Sequence, residues 1–359
     1  MKPQSKVRNS AFEILRLVAI VFIIISHYCI GTRDNANILT SNLILVNNLC
    51  LGDVGVAIFM FISGFFLWKS EKIDPWHIVK IVLEYYFYSF LCYGLSFVLI
   101  KGKSFDADEF LRVSLGLFYE RAWFVSAYLL VYIFHPFINR LFKLENFKLA
   151  VKFMVIITIV WSIIPSFTAG TFYLNRFTSL LCLYCYGAFL RLSKESSMRW
   201  YNKKTGLMLF LISLGVIATY QLIMSIVTIN HRDMAYMISW FISRHSIFMI
   251  PCVFGLMMLV SFAKPIYSRP INFIAGFTLG IYLIHENDAL RNYYWNTLFR
   301  SQDYCNSNAM LWHVLMSVAL VFFICLAIDI LRKYALENPL IALLKKVFKK
   351  KEKEKIAEA

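Results

Sequence analysis

Apolar residues along this chain gather into long runs separated by short polar breaks. Ten runs are long enough to enter a bilayer, at about 11–30, 54–68, 77–100, 122–142, 150–168, 173–192, 205–229, 243–263, 271–286 and 309–332. The expected fold class is all-α, a polytopic membrane helix bundle of about ten transmembrane helices. A single transmembrane domain is expected over 1–335, followed by a basic tail at 336–359. The second and ninth runs are short and contain glycine, which suggests packing among other helices rather than against lipid. Between 229 and 263 polar and apolar residues mix, so nine or eleven spans are the alternative counts.

Several runs carry groups that a bilayer does not favour. In AFEILRLVAIVFIIISHYCI, residues 11–30, Arg16 and His27 are eleven positions apart, three helical turns plus about 20°, and so share a face. Glu13 lies about 60° from Arg16 by the same count. The rise from Arg16 to His27 is about 16 Å, roughly half the hydrocarbon thickness. An arginine at the bilayer centre costs about 2.5–3.5 kcal/mol on insertion scales, so such residues are functional candidates. Snorkelling of Arg16 and an interfacial hydrogen bond at His27 explain the two residues equally well on their own. A neutral imidazole is also suited to take a proton from a hydroxyl at neutral pH.

Further candidates follow along the chain. The second run contains FISGF, where Ser63 and Gly64 allow a helix or a ligand to approach closely, and Asp53 before it suits a helix N-cap. The fourth opens with Arg121, Trp123 and Phe124, then Tyr128 and Tyr132, an interfacial aromatic belt or the wall of a pocket. The ninth ends in Tyr282, His285 and Glu286 and carries Gly276 and Gly280 as a G-x-x-x-G face. His285 falls about 20° from Thr278 and about 60° from Tyr282, so the three suit one surface.

Composition and charge then narrow the class. At 59% hydrophobic residues, with mean hydropathy +0.63, the chain is more apolar than globular proteins, which are about 45–50% apolar. A net charge of +16 suggests nucleic acid until its distribution is read. For ten spans, 26 of the 37 lysines and arginines fall on the side of the termini and ten on the other, with Arg16 inside the first span. That asymmetry predicts cytoplasmic termini and accounts for the charge without nucleic acid. Basic loop residues such as Arg191, Lys194, Arg199, Lys203 and Lys204 suit phosphate binding, and topology explains them equally. Six of the eight cysteines fall in apolar runs, and Cys182-x-x-Cys185 has no second pair, which favours packing over a metal site. A Cys50–Cys305 disulfide is left open. Without a Walker A sequence, an H-E-x-x-H motif or mid-span acidic pairs, neither an ATP-driven pump, an intramembrane metalloprotease nor an ion-coupled transporter is favoured.

Arg16 with His27, the block VAIFMFISGFFLW, the segment RAWFVSAYLLVY and the late GFTLGIYLIHE together resemble the acyltransferase-3 family of integral membrane acyltransferases, bacterial surface-polysaccharide O-acetyltransferases among them. The resemblance runs from about residue 11 to 330. It implies a ten-helix domain in the bacterial cytoplasmic membrane that takes an acyl group from a cytoplasmic donor, acetyl-CoA, with no metal. The implied acceptor is a hydroxyl of an extracytoplasmic polysaccharide or lipid-linked saccharide. Arg16 and His27 match the pair such enzymes need, with Glu13 orienting the arginine. Ser63, Gly64, Trp123, Tyr282 and His285 would bind substrate. The competing class is a membrane transporter or flippase for a glycan or lipid precursor, with the same polar face as its path.

Overall fold

A computed structural model describes residues 8–33, 35, 37–119, 121–168 and 175–343. Among them there is no strand. Fourteen α-helices follow in order: α1 (Ser10–Arg33), α2 (Thr40–Leu49), α3 (Gly52–Leu67), α4 (Pro75–Leu99), α5 (Ala107–Ser114), α6 (Trp123–Asn139), α7 (Phe147–Thr158), α8 (Ile164–Phe167), α9 (Arg176–Glu195), α10 (Lys203–Asn230), α11 (Met249–Phe262), α12 (Arg269–Ile274), α13 (Thr278–His285) and α14 (Met310–Arg332). Seven helical segments among the described residues are long and apolar enough to cross a membrane: Ser10–Arg33, Thr40–Leu67, Pro75–Leu99, Trp123–Phe142, Leu144–Phe167, Lys203–Asn230 and Met310–Leu343. The chain is a multi-pass membrane protein.

Local chemistry sets several of these ends. Asp74 caps α4 by accepting from the Trp76 amide at 3.0 Å, with Pro75 in the first turn where its missing N–H does no harm. Asn175 and Asn202 cap α9 and α10 in the same way, at 2.8 and 2.9 Å. At α1, Glu13 lies in the first turn and Arg33 in the last, each complementing the helix dipole.

One stretch between expected spans and two of the expected spans take another form. The segment 31–53, read as a loop, contains α2, whose Asn42 donates to the carbonyls of Cys305 and Ser307, both at 2.9 Å. The run at 243–263 becomes helical only from Met249, because Ser246 Oγ accepts the amides of Phe248 and Met249 and so ends the preceding loop. The run at 271–286 is two short helices, α12 and α13, joined by a tight turn at Ala275–Phe277 that includes Gly276. Both helices meet α1, and α13 also packs on α14 and α4.

α3 is the centre of the bundle, packed against α1 on one side and α9 on the other. Glycine makes both contacts possible. A methyl at Gly55 would overlap the Ala19 carbonyl of α1, while Gly64 and Gly187 place the backbones of α3 and α9 in direct contact. Ser10 ties the start of α1 to α12, donating to Asn272 at 2.8 Å and accepting from the Ser268 amide at 2.8 Å. All eight cysteines are free thiols, Cys50 and Cys305 among them, and Cys185 is buried in α9. The last span continues beyond Arg332 through a wide π turn at Lys333–Glu337. The expected tail lies, from 344 onward, outside the described residues.

Candidate active site

A cavity of about 940 Å³ lies between α1, α3, α4, α6, α13 and α14. Arg16, Ile20, Ile23 and His27 all face it, so the stripe expected from helix phase is the wall that α1 supplies. The cavity runs the length of that helix. Near the start of α1 it is lined by Arg8, Lys80 and Lys333, and near the end by Asp53, Arg176 and Arg244.

At the first end Arg16 Nη1 lies 2.9 Å from both carboxylate oxygens of the buried Glu13, one helical turn away. Glu13 does not reach the cavity; it holds the guanidinium from behind. The rest of that planar fork makes no hydrogen bond to described residues, leaving donors suited to an oxyanion. His77, Lys80 and Lys333 line the same end, with Lys333 Nζ 4.5 Å from the Phe277 ring. None of Arg191, Lys194, Arg199, Lys203 and Lys204 lines the cavity. Arg191 instead pairs with Glu195 at 2.7 Å and covers the Phe65 ring at 5.0 Å.

Further along, His27 meets two residues that the sequence places 258 and 259 positions away. Its Nδ1 is 3.0 Å from His285 Nε2 and 3.1 Å from Glu286 Oε2. The tautomers follow from what His285 does on its other side. His285 Nδ1 lies 2.6 Å from the Ile281 carbonyl, which only accepts, so Nδ1 carries the proton. In neutral His285, Nε2 is then the acceptor and His27 Nδ1 donates to it. His27 Nε2 is left with its lone pair, on a ring that lines the cavity. Glu286 Oε2 is close to His27 Nδ1 but buried without a hydrogen bond, because that N–H already points at His285. The other oxygen of Glu286 accepts from Arg291 at 2.8 Å. A proton gained at Nε2 would place a cation 3.1 Å from a carboxylate already in position.

The remaining candidates divide. Ser63, Trp123 and Tyr282 line the cavity; Gly64 and His285 do not. Ser63 donates to the Phe59 carbonyl at 2.9 Å within its own helix. Gly64 faces the backbone of Tyr184, where its lack of a side chain serves helix packing. The Trp123 ring is occupied by Arg244 at 4.3 Å and Arg176 at 5.6 Å. Glu286, named from the sequence beside His285, lines the cavity too, as do Arg244 and Arg291, which were not singled out. The signal that could have found the two arginines is their place among the ten basic residues expected on the side opposite the termini, where the charge rule predicts few.

A family model described as an acyltransferase domain matches residues 9–330, nearly the whole described chain. The chain belongs to the acyltransferase-3 family. No curated protein matches it, and no solved structure matches it. The cavity brings a lone pair on a fixed imidazole and a cationic group onto one wall.

Proposed function

We propose that this acyltransferase moves an acyl group, acetyl from acetyl-CoA, onto a hydroxyl of an extracytoplasmic polysaccharide or lipid-linked saccharide in the bacterial cytoplasmic membrane. The observation that supports this reading best is the single cavity with Arg16 toward one end and His27 Nε2 toward the other. The charge asymmetry of the loops supports donor entry beside Arg16, from the cytoplasm.

In this reading the acceptor hydroxyl gives its proton to His27 Nε2 while its oxygen attacks the thioester carbonyl. The tetrahedral intermediate then expels the CoA thiolate, which takes the proton back from the imidazolium. Glu286 stabilises that imidazolium while it lasts. Arg16 holds donor phosphate, in the geometry Glu13 imposes on its fork.

The test is transfer of labelled acetyl from acetyl-CoA by the purified full chain, with and without a saccharide acceptor extract. His27→Ala lowers turnover by about 10²–10⁴-fold, the usual contribution of a positioned base. Arg16→Ala raises the donor KM with less effect on turnover at saturation. Full transfer by both variants would end this mechanism.

A further inference from the structure

Of the ten basic residues on the side opposite the termini, four (Arg33, Arg176, Arg244 and Arg291) line the cavity near the end of α1. The carboxylates lining the same end are Asp53 and Glu286, so its walls carry a net charge of +2. Asp53 is engaged by Arg244 twice, through the side-chain Nε at 3.1 Å and the backbone amide at 3.2 Å. Glu286 is engaged by Arg291 at 2.8 Å. Nearby Asp288 is shared by Arg121 at 3.6 Å and Arg291 at 3.9 Å. Even so, Arg244 Nη1 is buried with no hydrogen-bond partner.

Such a donor on a charged group is expensive to leave unmade. Trp123 makes the cluster possible, since its ring face attracts Arg244 and Arg176 and gathers two like charges that would otherwise separate. Trp123 is thereby a positioning residue. An arginine fork with an unmet N–H matches a carboxylate or a phosphate, which accept through two oxygens. The donor's phosphates are assigned to the other end, beside Arg16, so they do not account for this cluster.

We infer that the acceptor is anionic, bearing a carboxylate or a phosphate close to the hydroxyl that is acylated, and that Arg244 receives this group. The inference rests on the proposed acyl transfer for what the ligand is, and on the geometry alone for its charge. Uronic sugars and sugar phosphates share this chemistry.

Saturation-transfer NMR on the full chain in phosphatidylcholine nanodiscs tests the charge without turnover, with glucuronate, glucose 1-phosphate and methyl glucoside as probes. Half-saturation for at least one anionic sugar is expected at a concentration about tenfold or more below that of methyl glucoside, as a charge-assisted pair provides. Which anion binds more tightly tells carboxylate from phosphate. In Arg244→Gln the preference falls about tenfold, and Arg244→Lys restores part of it. Equal binding of the neutral sugar, or an anion preference untouched in Arg244→Gln, overturns the inference. The acetyl-labelling assay separates the two readings. Labelled product retained on an anion exchanger supports both, and labelled product that is neutral overturns this inference alone. Anion binding through Arg244 with no labelled product overturns acyl transfer and leaves the anionic ligand standing.

Discussion

Two polar clusters among the described residues line opposite ends of the cavity, one around Arg332 and one around His27, and they are finished to different degrees. Near the end of α14, Arg332 is surrounded by Asp329 at 2.6 Å, Glu84 at 3.2 Å and Glu337. Tyr88 donates to Asp329 at 2.7 Å and lies under the guanidinium at 5.5 Å. No nitrogen of that arginine and no oxygen of Asp329 or Glu84 is left buried without a partner. The His27 cluster is the opposite case: Nε2 of His27 is held for something else, Glu286 Oε2 has no hydrogen bond, and Arg244 Nη1 further out has none. Saturated networks fix a fold, whereas unmet groups held rigid in a cavity are held for a ligand. Breaking the first should therefore show in stability, and breaking the second in turnover.

The largest separation is expected from Arg332→Ala. Removing Arg332 leaves Asp329, Glu84 and Glu337 close together with Lys333 the remaining nearby cation among the described residues, a loss of about 3–5 kcal/mol for a broken buried pair. The melting temperature of the protein in nanodiscs falls sharply, while the fraction still folded keeps its donor KM. A variant that melts normally and loses donor affinity would place Arg332 among the donor contacts instead and erase the contrast.

Gly280→Ala is next. Gly280 faces the carboxylate of Asp329, and an added methyl would overlap it. Overpacking of this kind costs about 1–3 kcal/mol. Its partner in the G-x-x-x-G pattern, Gly276, has only Lys333 Nζ near, at 3.9 Å, so Gly276→Ala is expected to leave the melting temperature almost unchanged. Equal effects from the two would mean that the motif packs as a whole rather than making room for one carboxylate.

That pair also marks where the sequence stopped being readable. Helix phase put Arg16 and His27 on one face because the angle between neighbours within a helix is fixed, and both face the cavity. Phase with His285 brought in Tyr282, while Ser63 and Trp123 came from the small-residue and aromatic blocks that carry the family resemblance, and all three line the cavity. Phase could not say that Gly64 meets Tyr184 or that Gly280 meets Asp329, since contacts between spans leave no periodic trace in one sequence. The pairing of His27 with His285 across 258 positions was invisible for that reason, as were the partners of Arg332. Hydropathy alone also missed α2, which is short and asparagine-rich, and joined α12 to α13, whose break is a change of turn rather than of polarity.

The finest test is Glu286→Gln. Glutamine keeps an oxygen for Arg291 and nearly the same volume, so the cluster keeps its shape while the negative charge beside His27 Nδ1 is removed. Ground-state packing is then almost unaltered and the melting temperature should stay within a degree or two of the parent, a shift corresponding to well under about 1 kcal/mol. Turnover should fall about tenfold, roughly 1.4 kcal/mol, because the carboxylate matters only while His27 carries the extra proton. The donor KM should not move, since Arg16 lies about 16 Å further along the same helix. A loss of stability like that of Arg332→Ala, with turnover per folded molecule intact, would show that the two clusters do the same work.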